Sequence, residues 1–314
     1  MTAVIFDGYG GSDVLRVARV PRPEPGPGEV QVRMAVAGVN PADWKTRQGL
    51  NAAYVPRFPA ILGWDVAGTV TATGFGVHAF AVGDRVFGMP AFPRLAGAYA
   101  EYVTAHVNDL AALPDRVPFR AAGGAPLAAL TAWQALFTAG SLKAGQKVLV
   151  NAAAGGVGHV AVQLARWAGA EVVGVASAGH HPFVEGLGAA RVLDRARDLA
   201  AQAGADKVDL VVDTHGGAEA GLAALLRPRG TFVSIVSAQL GHLRERGFRT
   251  RTVLVHPEGR QLARIAELLA AGDLTIAVDK GFPLGRAAAA HAHAERGRTR
   301  GKVILEMPAA GPAA

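Results

Sequence analysis

Residues 30–36 read Val-Gln-Val-Arg-Met-Ala-Val, apolar at every second position, the period of a strand with one buried face. Short apolar runs between glycines follow at 66–70 and 85–87, and a Pro/Gly-rich stretch at 21–28 marks a turn. Short strands at this spacing over the first 120 residues predict a small β-barrel. From about residue 121 the pattern changes. A helix is predicted over 127–139, then strands over 147–151, 171–176, 191–193, 210–213 and 230–236, with a sixth over 253–256. Strands alternating with helices predict a parallel, doubly wound α/β sheet. The tail reads as helices over 260–271 and 286–295 and a strand over 302–306. That last strand has no partner in its own region and is expected to return to the first domain. No internal repeat is evident.

The densest chemistry lies at 147–160. A short apolar strand runs into Asn151-Ala152-Ala153-Ala154-Gly155-Gly156-Val157-Gly158, and a helix follows through Trp167. A dinucleotide pyrophosphate needs such a turn, because small residues let the backbone approach and a helix N-terminus offers free N–H groups. The general fingerprint is Gly-x-Gly-x-x-Gly with an acidic residue about 20 positions later. Here Ala153 takes the first glycine position, which requires only a negative φ there. The acidic residue is missing: the second strand ends in Val175-Ala176-Ser177-Ala178-Gly179-His180-His181.

Composition narrows the classes. Half the residues are hydrophobic, enough for a sizeable core in a chain of 314 residues. The absence of cysteine excludes disulfides, thiol catalysis and thiolate zinc sites. A net charge of +7 suits an anionic ligand, and no basic stripe interleaved with aromatics suggests a specific nucleic-acid partner. Residues 121–140 are uncharged and of membrane-spanning length, but their Ala, Gly, Pro, Thr and Gln content predicts a buried core segment and no membrane association. The N-terminus has no basic region ahead of its apolar run, so a cytoplasmic protein without a signal peptide is expected.

Six segments in order resemble the zinc-independent quinone oxidoreductases (zeta-crystallin-like) of the medium-chain dehydrogenase/reductase superfamily. They are Gly38-Val39-Asn40-Pro41-Ala42-Asp43-Trp44-Lys45; Gly63-Trp64-Asp65-Val66-Ala67-Gly68 with Gly83-Asp84-Arg85-Val86-Phe87-Gly88; Gly97-Ala98-Tyr99-Ala100-Glu101-Tyr102; Leu130-Thr131-Ala132-Trp133; the Ala153 to Gly158 turn; and Gly301-Lys302-Val303-Ile304-Leu305. The resemblance implies a GroES-like β-barrel catalytic domain from residues 1–122 and 258–314, a Rossmann NADPH-binding domain from 123–257, and a homodimer. Zinc relatives place Cys and Gly-His-Glu where this chain has Asn40 and Gly63-Trp64-Asp65. An amide, an indole and one carboxylate do not make a tetrahedral zinc site, so no metal is expected.

The resemblance also assigns a cofactor pocket: Ala154, Gly155, Gly156, Val157 and Gly158 at the turn, Ser177, His180 and Arg195 toward a 2′-phosphate, Thr214, Val236 and Ser237 at the nicotinamide half, and Arg300 near the C-terminus. A carboxylate would repel the 2′-phosphate, whereas a hydroxyl, imidazole and guanidinium donate to it, which favours NADPH. The alternative is that Ser177 is a turn residue and that His180, His181 and Arg195 are solvated surface. The implied reaction is hydride transfer to a quinone or other conjugated carbonyl, with enone/enal carbon–carbon double-bond reduction, including a role in secondary metabolism, and a non-catalytic crystallin-like NADPH binder as alternatives. The expected catalytic residues are Asn40, whose amide would donate to the carbonyl oxygen; Lys45, a second donor; and Thr131, facing the nicotinamide. Asn40 is equally readable as a turn residue before Pro41, and Thr131 as a helix residue bonding its own turn. Asn51 stands where the family has a substrate-side tyrosine, with Tyr54 close by, and residues 49–60 and 89–96 are expected to frame the substrate.

Overall fold

The computed structural model describes residues 1–236 and 239–308 and divides the chain into two units, Met1–Leu127 with the segment from His256 onward, and Ala128–Val255.

The first unit is built on strand Glu29–Val39, which pairs antiparallel with Val66–Thr73, Tyr102–His106 and Lys302–Glu306. Arg85–Gly88, Leu110–Ala112 and Val278–Pro283 complete a seven-stranded sheet, while Thr2–Phe6, Arg16–Arg19 and Ala60–Ile61 form a smaller one. The period-two pattern holds over 30–36: Val30, Val32, Met34 and Val36 are buried in the core. Gln31, on the other face, is also buried, with its amide oxygen accepting from Arg22 Nε at 2.9 Å and Thr71 Oγ1 at 2.8 Å. Beyond Val36 both faces are buried, because helix Phe119–Gly124 packs against the strand. Close approach needs glycine: a Cβ on Gly38 would lie 2.1 Å from Asp65 Oδ2 and 2.8 Å from the Gly123 carbonyl oxygen. The C-terminal strand finds its partner here, Val303 opposite Val39 and Leu305 opposite Ala37.

The second unit is a six-stranded, all-parallel sheet in the order Arg191–Asp194, Glu171–Ala176, Lys147–Asn151, Val208–Asp213, Leu226–Ser234, Arg249–Thr252. In chain order this is 3-2-1-4-5-6, the doubly wound arrangement whose strand order reverses beside the first strand. Its core gathers Leu149, Val173, Leu193, Val211, Leu222 and Phe232.

Local expectations are corrected at three places. The sixth strand lies at Arg249–Thr252, not 253–256; its Arg-Thr alternation follows an edge position, where exposed positions need no apolar residue. The helix expected over 127–139 begins at Pro126, as suits proline's fixed φ, and widens into a π-turn over Gln134–Ala139. The fifth strand starts early, at Leu226, and ends at Ser234 rather than 236. Among the described residues no helix is long and apolar enough to cross a membrane.

Candidate functional site

In the parallel-sheet unit, strand Lys147–Asn151 turns sharply at Ala152, which adopts φ 52°. Asn151 holds this turn from both sides: its Oδ1 accepts from the Ala152 N–H at 2.9 Å, and its Nδ2 donates to Asp213 Oδ1 at 2.8 Å. Thr214 Oγ1 donates to the Asn151 carbonyl at 2.7 Å, and Asp213 Oδ1 also accepts from the N–H groups of His215 and Gly216. Two neighbouring strand ends are thereby locked together. The chain then enters helix Gly158–Trp167. Gly158 is required sterically, since a Cβ there would lie 2.2 Å from the Ala152 carbonyl oxygen. Ala154 and Gly158 are buried, whereas Gly155, Gly156 and Val157 are half-exposed. A small-residue turn feeding a helix N-terminus at the carboxyl end of the first strand is a fitting cradle for a pyrophosphate.

Parallel pairing sets Ala176 opposite Asp194, and the Arg195 N–H donates to the Ala176 carbonyl at 2.9 Å. Ser177, His180 and Arg195 therefore gather at adjacent strand ends, with Ser177 Oγ 3.3 Å from His180 Nδ1 and Arg195 exposed. Asp194 ends the third strand. It sits beside this group, with Oδ1 accepting from the Ala196 N–H at 3.0 Å. Of the residues expected to meet the nicotinamide, Val236 is exposed and its N–H donates to Ser234 Oγ, close to Gly216. Ser237 lies outside the described residues.

In the barrel unit, Asn40 caps helix Pro41–Arg47 in a capping box: its backbone N–H donates to Asp43 Oδ2 at 2.7 Å. Its amide is engaged at both ends. Nδ2 donates to Asp65 Oδ2 at 2.9 Å, and Oδ1 accepts from Lys302 Nζ. Lys302 also reaches Asp65 Oδ2 at 3.3 Å, and Asp65 Oδ1 accepts from the Leu127 N–H at 2.6 Å. All three side chains are buried, Asn40 at 2%, Asp65 at 0% and Lys302 at 3% exposure. A buried charge pair persists only where hydrogen bonds satisfy it, and this one is satisfied.

A second chain of buried polar groups runs from Asp43 outward. Asp43 accepts from the Gly63 N–H at 2.9 Å and from the Tyr99 hydroxyl. Tyr99 Oη lies 3.1 Å from His291 Nε2, and Arg47 lies 3.4 Å from His291 Nδ1 and 2.8 Å from Glu295. Arginine only donates, so Nδ1 is the acceptor; a neutral His291 then donates Nε2–H to Tyr99, which donates to Asp43. Burial, with a smaller contribution from the Arg47 charge, pushes the His291 pKa down to about 3. Burial pushes the Asp43 carboxyl up to about 7 against the hydrogen bond from Asn40, with the Asp65 charge acting in the same direction as burial. Burial likewise raises the Tyr99 hydroxyl well above its usual range.

Lys45 is half-buried, its Nζ 5.6 Å from the Trp44 ring. Thr131 is buried in helix Pro126–Trp133 of the other unit. Arg300 belongs to the barrel unit and is exposed, with its backbone N–H on Asp279. The segments 49–60 and 89–96 do meet: Tyr54 and Phe92 pack edge-to-face on each other at 6.0 Å and on Trp64 at 6.4 and 5.3 Å. Lys302 was the residue missed as a site member. Its signal was a lysine opening the strand directly before the apolar run Val303-Ile304-Leu305, where a buried cation needs a partner.

Residues 26–115 match the alcohol dehydrogenase GroES-like domain family and residues 187–305 the zinc-binding dehydrogenase family. The second description does not fit the residues present. Asn40 Oδ1 and Asp65 Oδ2 both already accept from the Lys302 ammonium, and among the described residues no three His, Asp or Glu could hold a metal ion. The chain is 33% identical to a chloroplastic quinone-oxidoreductase homolog of Spinacia oleracea over 98% of both chains. It is 31% identical to an NADPH-dependent alkenal/one oxidoreductase of Arabidopsis thaliana over 97% of this chain and 79% of that one. Among solved structures it resembles the quinone oxidoreductase of Coxiella burnetii (TM-score 0.93, 32% identity, 98% and 99% covered). It also resembles the Escherichia coli quinone oxidoreductase complexed with NADPH (TM-score 0.88, 28% identity, 98% and 100% covered). With two satisfied barrel and nucleotide-type units and full-length relatives of this kind, the chain belongs to the quinone oxidoreductase group of the medium-chain dehydrogenase/reductase superfamily.

Proposed function

We propose that this oxidoreductase uses NADPH to reduce a quinone or another conjugated carbonyl without a metal. The observation that carries the reading is the Asn40 amide, buried and held at both ends by Asp65 and Lys302. NADPH supplies the hydride when bound. The turn at Ala154–Gly158 would hold its pyrophosphate, and Ser177, His180 and Arg195 its 2′-phosphate; the solved NADPH complex of a relative supports that choice. Hydride arriving at a quinone or at the β-carbon of an enone leaves negative charge on the carbonyl oxygen. Donors fixed in advance stabilise such charge without reorganising. Asn40 has two Nδ2 hydrogens; one serves Asp65, and the other is assigned to that oxygen. Lys302, bonded to Oδ1, keeps the amide from flipping and polarises its N–H groups.

Enone or enal reduction is the second reading, favoured by Asn51 in place of the family's tyrosine and by the alkenal/one oxidoreductase relative. A homodimer is proposed from the resemblance, and light scattering measures it. NADPH oxidation with a panel of quinones, enones and enals separates the two activities, and turnover of none of them would leave only the non-catalytic binder. Asn40→Ala is expected to lower kcat by about 10²-fold, the scale of losing one oxyanion donor, with NADPH affinity retained. An unchanged kcat would exclude the donor role.

A further inference from the structure

The parallel-sheet unit holds a cavity of about 410 Å³, within the usual size of small-molecule sites, at the amino ends of its strands, whereas the glycine turn lies at a carboxyl end. Gln146, Asp209 and Arg249, at or beside the amino ends of their strands, line it together with Thr231. So do Lys143, Arg227, Arg229 and Arg251. Five cationic residues thus surround one carboxylate. Asp209 is already committed, its Oδ1 to Arg227 at 2.6 Å and its Oδ2 to the Lys147 N–H at 2.9 Å. Among the described residues, Lys143, Arg229, Arg249 and Arg251 make no ion pair.

The backbone supplies a second observation. Pairing runs Val208 with Leu226 and then Leu210 with Thr231, so residues 227–230 bulge out of the strand over the cavity. Within that bulge Arg229 adopts φ 61°, a left-handed conformation that suits glycine and strains arginine. Ser141, another lining residue, has φ 50°. Arg249 Nε holds the strained segment in place by donating to the Arg229 carbonyl at 3.0 Å. Strained non-glycine residues concentrate at ligand clamps, where the side chain is needed despite the backbone. The lining includes no aromatic side chain on which a base would stack, so the recognition it offers is for phosphate oxygens.

We infer that this cavity binds a compact polyphosphate, two or three linked phosphates, either free or at the end of a nucleotide, at a site separate from the dinucleotide turn. The test is calorimetric titration of tripolyphosphate, and in parallel ATP, into the full chain with and without saturating NADPH. One equivalent is expected under both conditions, with ATP matching tripolyphosphate to within about threefold because only phosphates are read. Arg229→Gly and Arg251→Ala should each weaken binding about tenfold, and Arg229→Gly should also raise the melting temperature by relieving the left-handed strain. No binding at millimolar tripolyphosphate, binding equal in both variants and the parent, or binding abolished by NADPH would each overturn the assignment. Stronger binding of a random RNA oligomer than of tripolyphosphate would overturn it as well.

Discussion

Acidification tests the buried Arg47–His291–Tyr99–Asp43 chain directly. His291 titrates near 3 in the folded protein against an ordinary 6.5, so between those values the unfolded chain holds a proton that the folded one refuses. Its contribution to stability is therefore full above pH 6.5 and is lost as pH falls toward 3. The slope is about 1.4 kcal/mol per pH unit, about 2 kcal/mol by pH 5 and at most about 5 kcal/mol at pH 3. Asp43 works in the opposite sense. Its folded value of about 7 lies above the ordinary 3.8, so its contribution is full below pH 3.8 and is lost as pH rises through 7. Over pH 4 to 6.5 the two slopes oppose each other in the wild type. His291→Gln separates them, because a glutamine can donate to Tyr99 and accept from Arg47 but cannot be protonated. Urea unfolding of both proteins at pH 7 and pH 5 is the assay. The variant should gain about 2 kcal/mol relative to the wild type on going to pH 5. Parallel pH profiles would refute both the neutral state of His291 and the donor direction assigned to the chain.

Lys302→Met should destabilise the protein by about 3–5 kcal/mol in chemical unfolding by stranding the buried Asp65 charge, whereas Lys302→Arg should recover part of it. Gly158→Ala should weaken NADPH binding at least about tenfold in a fluorescence titration, since its Cβ would sit 2.2 Å from the Ala152 carbonyl oxygen. An unchanged affinity would mean that the turn does not cradle the pyrophosphate. Arg195→Ala should raise the Kd for NADPH several-fold and leave that for NADH nearly unchanged, because an exposed guanidinium recognises only the extra phosphate.

Local pattern alone determined much of this protein. Period-two alternation at 30–36 specified a half-buried strand, and the change to alternating strands and helices after residue 121 specified a parallel sheet. The glycine turn was legible because its steric demand is met within a few residues: Gly158 must lack a Cβ because of Ala152, six positions away. Boundaries were less legible where context overrode pattern, as at edge strand Arg249–Thr252.

The polar cluster was another matter. Asn40 stood out by its place beside Pro41, but nothing near it says what holds its amide. Asp65 is 25 positions away and Lys302 is 262, and only the antiparallel pairing of Lys302–Glu306 with Glu29–Val39 brings the lysine to the asparagine. His291 likewise reaches Tyr99 across 192 positions. A side chain's neighbours along the chain set its backbone conformation, while its protonation and hydrogen-bond partners depend on which distant segments share its volume. The sequence therefore determined the strands, the turn and the capping asparagine. The closure of the chain's two ends into one barrel decided that Asn40 would be clamped between Asp65 and Lys302, and that His291 would stay uncharged.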